Sequence, residues 1–233
     1  MPTTLSTPDV FAQLGVETVI NGRSWVTILG GSVMHPEVVQ AMSQAADCYV
    51  KIHDLNEKAG EIIAKHTGAE AGLVTAGASA GMLLQAAACM TGVDPAKIKA
   101  LPDSTGMPNE ILIHRAHRVG FDQCYRIAGA KLVDWGDARS GPPWELEAAI
   151  TERTAAIAYI FGPWLRQPLS LTEVVEIAHR SAVPVIVDAS AMLPPKENLT
   201  KYIDQGADLV TFAGGKGLCG PQSTGILCGR ADL

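Results

Sequence analysis

The chain has 233 residues, of which 47% are hydrophobic and 18% are charged. This length gives one large domain or two small ones, and the apolar content excludes intrinsic disorder. The net charge of −6, without a basic cluster, argues against broad binding to nucleic acid or to an anionic membrane. No apolar stretch reaches the roughly 18 residues of a transmembrane helix. Residues 1–4 lack the basic start of a signal peptide, so we expect a cytoplasmic protein.

The five cysteines are widely spaced, and they form no CxxC pair or Cys/His cluster with the spacing of zinc ligands. The sequence therefore predicts no metal site. We expect Cys48, Cys89, Cys124 and Cys228 to be small buried hydrophobic residues.

The first half of the chain is predicted to begin with two helices and then to alternate strands with helices. We expect a polar loop punctuated by proline over residues 92–109. The expected elements are helices over 37–47, 54–66 and 79–90 and strands over 72–75 and 111–113.

The second half continues the alternation. We expect helices over 119–129, 145–150 and 171–181 and strands over 130–134, 155–161, 183–188 and 209–212. Short apolar strands that are separated by helices predict an α/β fold, with a mostly parallel sheet covered by helices on both faces. Ligands of such sheets bind at the carboxyl ends of the strands.

Small residues follow the strand at 72–75 and open the next helix, as Gly77, Ala78 and Ser79. They allow close approach of a ligand, and the free N–H groups of a helix start favour an anion. The segment lacks the glycine pattern of dinucleotide-binding folds and the lysine of a P-loop. A tight turn capped by Ser79 is the structural alternative.

Asp188 ends the apolar strand over 183–188, and Lys216 lies among three glycines after the strand over 209–212. A carboxylate at the end of a buried strand is held there for a partner, or it caps a helix or forms an ion pair in a loop. A lysine with no bulky neighbours suggests the approach of a large flat molecule, although a mobile glycine loop is the alternative. A desolvated lysine amine can form a Schiff base with an aldehyde.

Together, the helix start, Asp188 and Lys216 match what pyridoxal 5'-phosphate (PLP) requires. Backbone at 76–79 would hold the phosphate, Asp188 would keep the pyridine nitrogen protonated, and Lys216 would hold the aldehyde.

At this point the chain resembles the fold-type I PLP enzymes of the selenocysteine synthase-related group, most closely the D-glucosaminate-6-phosphate ammonia-lyase branch. The Gly-Gly-Lys…Gly-Pro-Gln segment is the most specific part of this resemblance. The matching stretches are Val19–Arg23, Thr27–Ser32, Leu55–Gly60, Thr67–Ala71, Val74–Gly81, Arg115–Arg118, Pro184–Ala189 and Gly214–Gln222.

The resemblance implies that His117 stacks on the cofactor, with His114 as a competitor three residues earlier. It also implies that Asn21 and Arg23 lie near the active site, where Arg23 would hold a substrate carboxylate or phosphate, or else form a surface ion pair. The chain departs from the family pattern at Trp25, where a small residue is expected, and at Cys219, where a basic residue is expected. If that basic residue helps to bind a substrate phosphate, its absence weakens the expectation of a phosphorylated sugar substrate.

The resemblance implies an N-terminal segment with helices over residues 1–60, a PLP-binding large domain over 61–233, and a missing C-terminal small domain. It predicts a PLP-dependent lyase that removes ammonia from an amino-acid or amino-sugar-acid substrate by α,β-elimination and forms a 2-keto acid. We also expect a homo-oligomer. Selenium or sulfur transfer related to seryl-tRNA selenium transferase is one alternative, and a truncated PLP-binding or dimerisation module without turnover is another. Net charge −6 disfavours a tRNA substrate.

Overall fold

The computed structural model describes residues 10–233. Its helices are α1 (Val10–Gln13), α2 (Pro36–Ala46), α3 (Ile52–Thr67), α4 (Ala78–Thr91), α5 (Pro95–Ala100), α6 (Gln123–Ile127), α7 (Pro143–Ala149), α8 (Leu171–Arg180) and α9 (Asn198–Asp204). Its strands are β1 (Ala71–Thr75), β2 (Glu110–His114), β3 (Lys131–Trp135), β4 (Thr154–Ile160), β5 (Val185–Asp188), β6 (Leu209–Ala213) and β7 (Gly225–Gly229).

The seven strands form one sheet in the order β1-β7-β6-β5-β4-β2-β3. The neighbours from β6 through β5, β4 and β2 to β3 run parallel, whereas β7 runs antiparallel to both β1 and β6. The predicted α/β fold with a mostly parallel sheet is therefore confirmed. Because β5 and β6 are parallel neighbours, the residues that follow them emerge at the same edge of the sheet.

Alternate side chains of the central strands enter two separate cores, one on each face of the sheet. On β5, Val185 and Val187 join the core that includes α8, whereas Ile186 joins the core that includes α4. These three side chains are fully buried. Burial on both faces explains why the strand reads as a continuous apolar run without polar alternation.

Elements with weak sequence signals differ from the expectation. The segment over 92–109 contains the short helix α5, which Asp94 caps by accepting hydrogen bonds from the Ala96 and Lys97 backbone N–H groups at 2.9 and 3.3 Å. The helix expected over 119–129 is a 3-10 turn at Gly120–Asp122 followed by α6. The sequence analysis predicted neither β7 nor α9. The strand β7 has a weak signal because it is a five-residue segment that begins and ends with glycine.

The expected boundary at residue 60 falls inside α3, which packs closely on β1. A Cβ atom added at Gly60 would lie 2.3 Å from the Gly72 carbonyl oxygen, so glycine is required for this approach. Before α3 the chain packs loosely, and no residue of α2 is buried. Cys48, which follows α2, is exposed, so the expectation that it is buried is wrong. Cys124 and Cys228 are buried as expected, and Cys89 is half-buried. Among the described residues, no helix is both long and apolar enough to cross a membrane.

Candidate active site

A cavity of about 170 Å³ lies where β5 and β6 end and where α4 begins. Its lining includes the five cofactor-binding residues that the sequence predicts from the strand ends, which are Gly77, Ala78, Ser79, Asp188 and Lys216. These residues come from three distant parts of the chain, and the parallel arrangement of the sheet brings them together. Within residues 10–233, no group of three or more His, Cys, Asp or Glu side chains could hold a metal ion.

The α4 start forms one wall of the cavity. Gly77 is the N-cap residue with φ +94°, so Ser79 lies inside the helix, does not cap it and is one of the residues that line the cavity. A Cβ atom added at Gly225 of β7 would lie 2.7 Å from the Gly77 carbonyl carbon and 2.8 Å from the Ala78 nitrogen. Glycine at 225 therefore lets β7 lie directly against this turn. The first N–H groups of the 14-residue helix have no intrahelical partner, so they can bind an anion.

Asp188 lies at the end of β5 and is only 5% exposed. Its Oδ1 atom accepts a hydrogen bond from the Ser190 backbone N–H at 2.8 Å. Burial raises the pKa of the Asp188 carboxyl, while the hydrogen bonds from Ser190 and the charge of Lys216 act in the opposite direction. A carboxylate in this position gains from a cationic partner in the cavity.

Lys216 is half-buried, and its Nζ atom donates a hydrogen bond to the Ser190 hydroxyl at 3.4 Å. Burial lowers the pKa of the Lys216 amine, and the Asp188 charge partly offsets this effect. A lysine with a lowered pKa has a larger neutral fraction near pH 7, and the neutral amine is the form that attacks an aldehyde and accepts a proton.

The glycines around Lys216 are explained by packing of the protein on itself. A Cβ atom added at Gly214 would lie 2.1 Å from Thr224 Oγ1, one at Gly215 would lie 2.3 Å from Gln222 Oε1, and one at Gly217 would lie 2.1 Å from the Leu193 carbonyl oxygen. The sequence suggested that these glycines clear space for a flat molecule. In the structure they let the loop lie directly on its neighbours, which fixes the position of the lysine.

We expect Gly217→Ala to destabilise the protein by about 1–3 kcal/mol, because its new Cβ atom would push the loop off a backbone carbonyl. Gly220→Ala is the matched control, since its Cβ atom would lie 3.4 Å from the nearest atom, the Gly214 carbonyl oxygen. Urea unfolding of both variants measures the difference. Equal stability of the two variants would contradict this packing role.

Ser190 is a site residue that the sequence reading missed. Its backbone N–H binds Asp188, its hydroxyl accepts from Lys216, and it lines the cavity. The only sequence signal is its position two residues after Asp188, and this position does not predict its contact with Asp188 or with Lys216. Ser190 therefore connects the carboxylate and the amine and sets the distance between them.

Ser190→Ala removes the hydroxyl but keeps the backbone bond to Asp188. The hydroxyl accepts a hydrogen bond from the charged amine, so its loss is expected to lower the pKa of Lys216 further. The pH at which cofactor attachment to the cofactor-free protein reaches half its maximal rate then moves down. Ser190→Thr retains a hydroxyl and should stay near the original value. No shift in Ser190→Ala would exclude this role.

His117 is 2% exposed and does not line the cavity in this structure. Its Nε2 atom lies 3.1 Å from the Arg166 carbonyl oxygen, and its ring packs edge-on against His114 and Tyr159. Burial lowers the pKa of His117 to about 4, so the ring is neutral at pH 7. The stacking role predicted for His117 stays a prediction, and the aromatic side chain that lines the cavity among the described residues is Phe121.

His114, the competing histidine, is 1% exposed and lies against a different loop. Its Nε2 atom is 3.1 Å from the Ser140 carbonyl oxygen, and its Nδ1 atom accepts from the Ala116 N–H at 3.0 Å. Both of its ring nitrogens are occupied by backbone groups, which favours a structural role.

A second cavity of about 420 Å³ adjoins the first, and Thr27, Phe121 and Lys216 line both. Arg23 and Trp25 line this second cavity. Asn21 does not line either cavity. Its amide donates to the Ser24 carbonyl at 2.6 Å and accepts from the Arg23 backbone N–H at 2.8 Å, so it shapes the turn that carries Arg23.

Cys219, the other departure from the family pattern, lies in the turn after Lys216. It has φ +53°, and its backbone N–H donates to the Lys216 carbonyl at 2.9 Å. Its side chain lines neither cavity.

Comparison with known proteins places the chain in a family. Residues 18–233 match the family described as SelA: L-seryl-tRNA selenium transferase. The chain is 39% identical over 230 residues to a D-glucosaminate-6-phosphate ammonia lyase of Salmonella typhimurium, covering 96% of this chain and 61% of that protein. It is 35% identical to a 5'-C-glycyluridine monooxygenase-decarboxylase of a Streptomyces species, covering 96% of this chain and 57% of the relative.

Solved structures agree with the sequence comparison. A structure of D-glucosaminate-6-phosphate ammonia-lyase matches with a TM-score of 0.91 and 38% identity, covering 97% of this chain and 62% of that one. The PLP-dependent protein YhfS from Escherichia coli has the same fold at 17% identity, with a TM-score of 0.56. The chain spans about three-fifths of the length of its more similar relatives. It belongs to the SelA family and has the fold of the large domain of fold-type I PLP-dependent enzymes.

Proposed function

We propose that this chain carries the cofactor site of a PLP-dependent lyase of the ammonia-lyase type, acting on an amino-acid or amino-sugar-acid substrate. The observation that carries the proposal is the convergence of the Lys216 amine, the buried Asp188 carboxylate and the α4 start on one cavity. The 39% identity to an ammonia lyase supports it further.

The residues of the cavity fit the cofactor. PLP, when bound, supplies an aldehyde that reacts with amines and a protonated pyridine ring that withdraws electrons from the substrate. The N–H groups at the α4 start and the Ser79 hydroxyl would hold its phosphate. Asp188 would keep the proton on the pyridine nitrogen, which also gives the buried carboxylate its cationic partner. Either Phe121 or the predicted His117 would cover the ring.

Lys216 has two roles in this proposal. Its Nζ atom would hold the cofactor aldehyde, and its free amine would accept the α-proton of the substrate. Its lowered pKa suits both roles. The proposed reaction is α,β-elimination, in which the substrate loses its α-proton and its β-substituent and water then releases a 2-oxo acid and ammonia. Arg23 would hold the substrate carboxylate in the adjoining cavity.

Selenium transfer to seryl-tRNA is the second candidate, favoured by the description of the matching family. A relative with that activity in its name, from Desulfovibrio desulfuricans, is only 27% identical over 237 residues. Binding of tRNA depends on phosphate contacts from a basic surface, and the net charge of −6 disfavours it. A gel shift with tRNA that weakens steeply with salt would revive this candidate.

The test of the proposed function is reconstitution with PLP followed by an assay for ammonia and 2-oxo acid. Amino acids, amino-sugar acids and their phosphates are the substrates to compare. The lyase predicts a visible band near ~420 nm, typical of the lysine-bound cofactor, together with release of both products. A band without turnover of any substrate would instead support a PLP-binding module without catalysis.

We also propose that the protein is a homo-oligomer, most simply a dimer. Large apolar side chains on residues 10–62 are exposed, including Ile20 and Tyr49, which are fully exposed. Exposed apolar side chains that are concentrated on one segment are typical of an interaction surface, and a second copy would cover them. The cytoplasmic location stays a prediction.

The expected result for the oligomer is a sedimentation-equilibrium mass of twice that of the monomer. Ile20→Glu, which places a charge on the exposed apolar segment, should shift the equilibrium towards the monomer, whereas Ile98→Glu on α5, a residue that is 52% exposed, should not. A wild-type protein that sediments as a monomer would contradict the proposal.

A further inference from the structure

We propose that the second cavity selects an amino acid with one carboxylate and an apolar or aromatic side chain, in preference to a phosphorylated sugar acid. This inference rests on the proposed function, because it assigns the substrate class of the same site.

The position of the second cavity makes it the place where substrate meets Lys216. It shares Thr27, Phe121 and Lys216 with the first cavity, so the lysine amine is reached from both. The first cavity contains the α4 start and Asp188, which fit the cofactor. The molecule that reacts with the amine therefore enters from the side of Arg23 and Trp25.

The charges in this cavity provide for one anion. Among the described residues that line it, Arg23 and Lys216 carry positive charge and none carries negative charge. Lys216 is assigned to the reaction, which leaves Arg23 to bind a carboxylate through two parallel hydrogen bonds. No carboxylate among the described residues pairs with the Arg23 guanidinium. D-Glucosaminate 6-phosphate carries a phosphate in addition to its carboxylate, and the described residues that line the cavity include no further cation for that second anion.

The remaining lining is mainly apolar. Three aromatic rings, of Trp25, Phe121 and Trp164, line the cavity together with Ile28 and Pro163. Trp164 is 76% exposed and Phe121 is 60% exposed, so both rings have area that a ligand can cover. The side-chain hydroxyls in the lining come from Ser24 and Thr27, which are few partners for a polyhydroxylated chain.

The loop that carries Trp164 is held in place by hydrogen bonds on both sides. The Leu165 backbone N–H donates to the Gly162 carbonyl at 3.0 Å, and Gln167 Nε2 donates to the Ile160 carbonyl at 3.2 Å. His117 Nε2 lies 3.1 Å from the Arg166 carbonyl oxygen. A loop fixed in this way presents the indole ring without a large ordering cost on binding, which favours recognition of a flat or apolar side chain.

Binding to the full chain reconstituted with PLP tests this inference. Calorimetry and tryptophan fluorescence would compare phenylalanine and leucine, in both enantiomers, with D-glucosaminate and its 6-phosphate. We expect one enantiomer of phenylalanine to bind at least about 10-fold more tightly than the sugar acid phosphate. Trp164→Ala should weaken phenylalanine binding about 10-fold and leave the sugar acid phosphate little changed, and Arg23→Gln should weaken both. Trp144→Ala is the matched control, since Trp144 is 63% exposed on α7 and lines neither cavity.

Tighter binding of the sugar acid phosphate, insensitivity to Trp164→Ala, or no binding of phenylalanine and leucine would overturn the inference. Its failure is distinguishable from failure of the proposed function. Ammonia release from the phosphorylated sugar acid alone would overturn the substrate class and leave the lyase standing. Tight binding of phenylalanine without ammonia release from any substrate would support the substrate class and overturn the lyase.

Discussion

Lys216→Ala is expected to abolish the visible band near ~420 nm and to lower turnover by at least about 10⁴-fold. Among the described residues that line the first cavity, Lys216 is the only amine, and it also lines the second cavity. No other amine in either described lining can therefore replace it in attachment or in proton removal. Its position depends on glycines that pack directly on Thr224, Gln222 and Leu193. Because this packing holds the loop backbone in place, another residue of the loop cannot shift to bring its side chain to the position of Lys216.

Lys196→Ala is the matched control for this variant. Lys196 is exposed and lines neither cavity, so the change should leave both the band and turnover at the wild-type level. Absorbance spectra of the two reconstituted variants make the comparison. Retention of the band in Lys216→Ala would remove this residue from the proposed mechanism.

Asp188→Asn is expected to lower turnover by about 10²–10⁴-fold, with the cofactor still attached to Lys216. The amide keeps the size of the side chain and an oxygen that can accept the Ser190 N–H. It has no charge to hold a proton on the pyridine nitrogen, so the ring loses its capacity to withdraw electrons. Steady-state kinetics of the reconstituted variant measure the loss.

Stability of the cofactor-free protein separates this chemical effect from misfolding. Burial raises the pKa of Asp188 above its ordinary value of 3.8, so ionisation costs folding stability as the pH rises through that raised pKa. Asp188→Asn lacks this cost and should therefore be at least as stable as the wild type at pH 7. Asp204→Asn, at an exposed position, is the control for the change of charge. A less stable Asp188→Asn variant, or one with unchanged turnover, would contradict the role.

Much of the fold could be predicted because the central strands are buried on both faces. Such strands must be apolar throughout, as in residues 183–188, and Asp188 and Lys216 stand out as the charged residues that follow them. Parallel pairing of β5 and β6 then places both residues at one edge of the sheet. The sequence pattern thus predicted the fold and the shared edge of two candidate site residues, whose chemical roles stay predictions.

Features that depend on contacts between distant parts of the chain could not be predicted in this way. The bond between Ser190 and Lys216 joins residues on different strand ends, and no spacing rule specifies it. The antiparallel strand β7 is recognisable only through its neighbours β1 and β6. The glycines beside Lys216 were noticed, but their cause became clear only from the backbone and side-chain atoms that they approach.

The three aromatic residues that line the second cavity could not be predicted for the same reason. Trp25 was noted as unusual in the sequence, but Trp164 and Phe121 come from two other segments that approach it only in the fold. The family resemblance implies that His117 stacks on the cofactor, and this role stays a prediction. In the structure its ring packs edge-on against His114 and Tyr159.

Borohydride reduction of the PLP-loaded wild-type protein, followed by peptide mass spectrometry, identifies the lysine that holds the cofactor. We expect one reduced phosphopyridoxyl group per chain, on the peptide that contains Lys216. Modification of a different lysine as the main product, or no stable modification, would contradict the assignment of this cavity as the cofactor site.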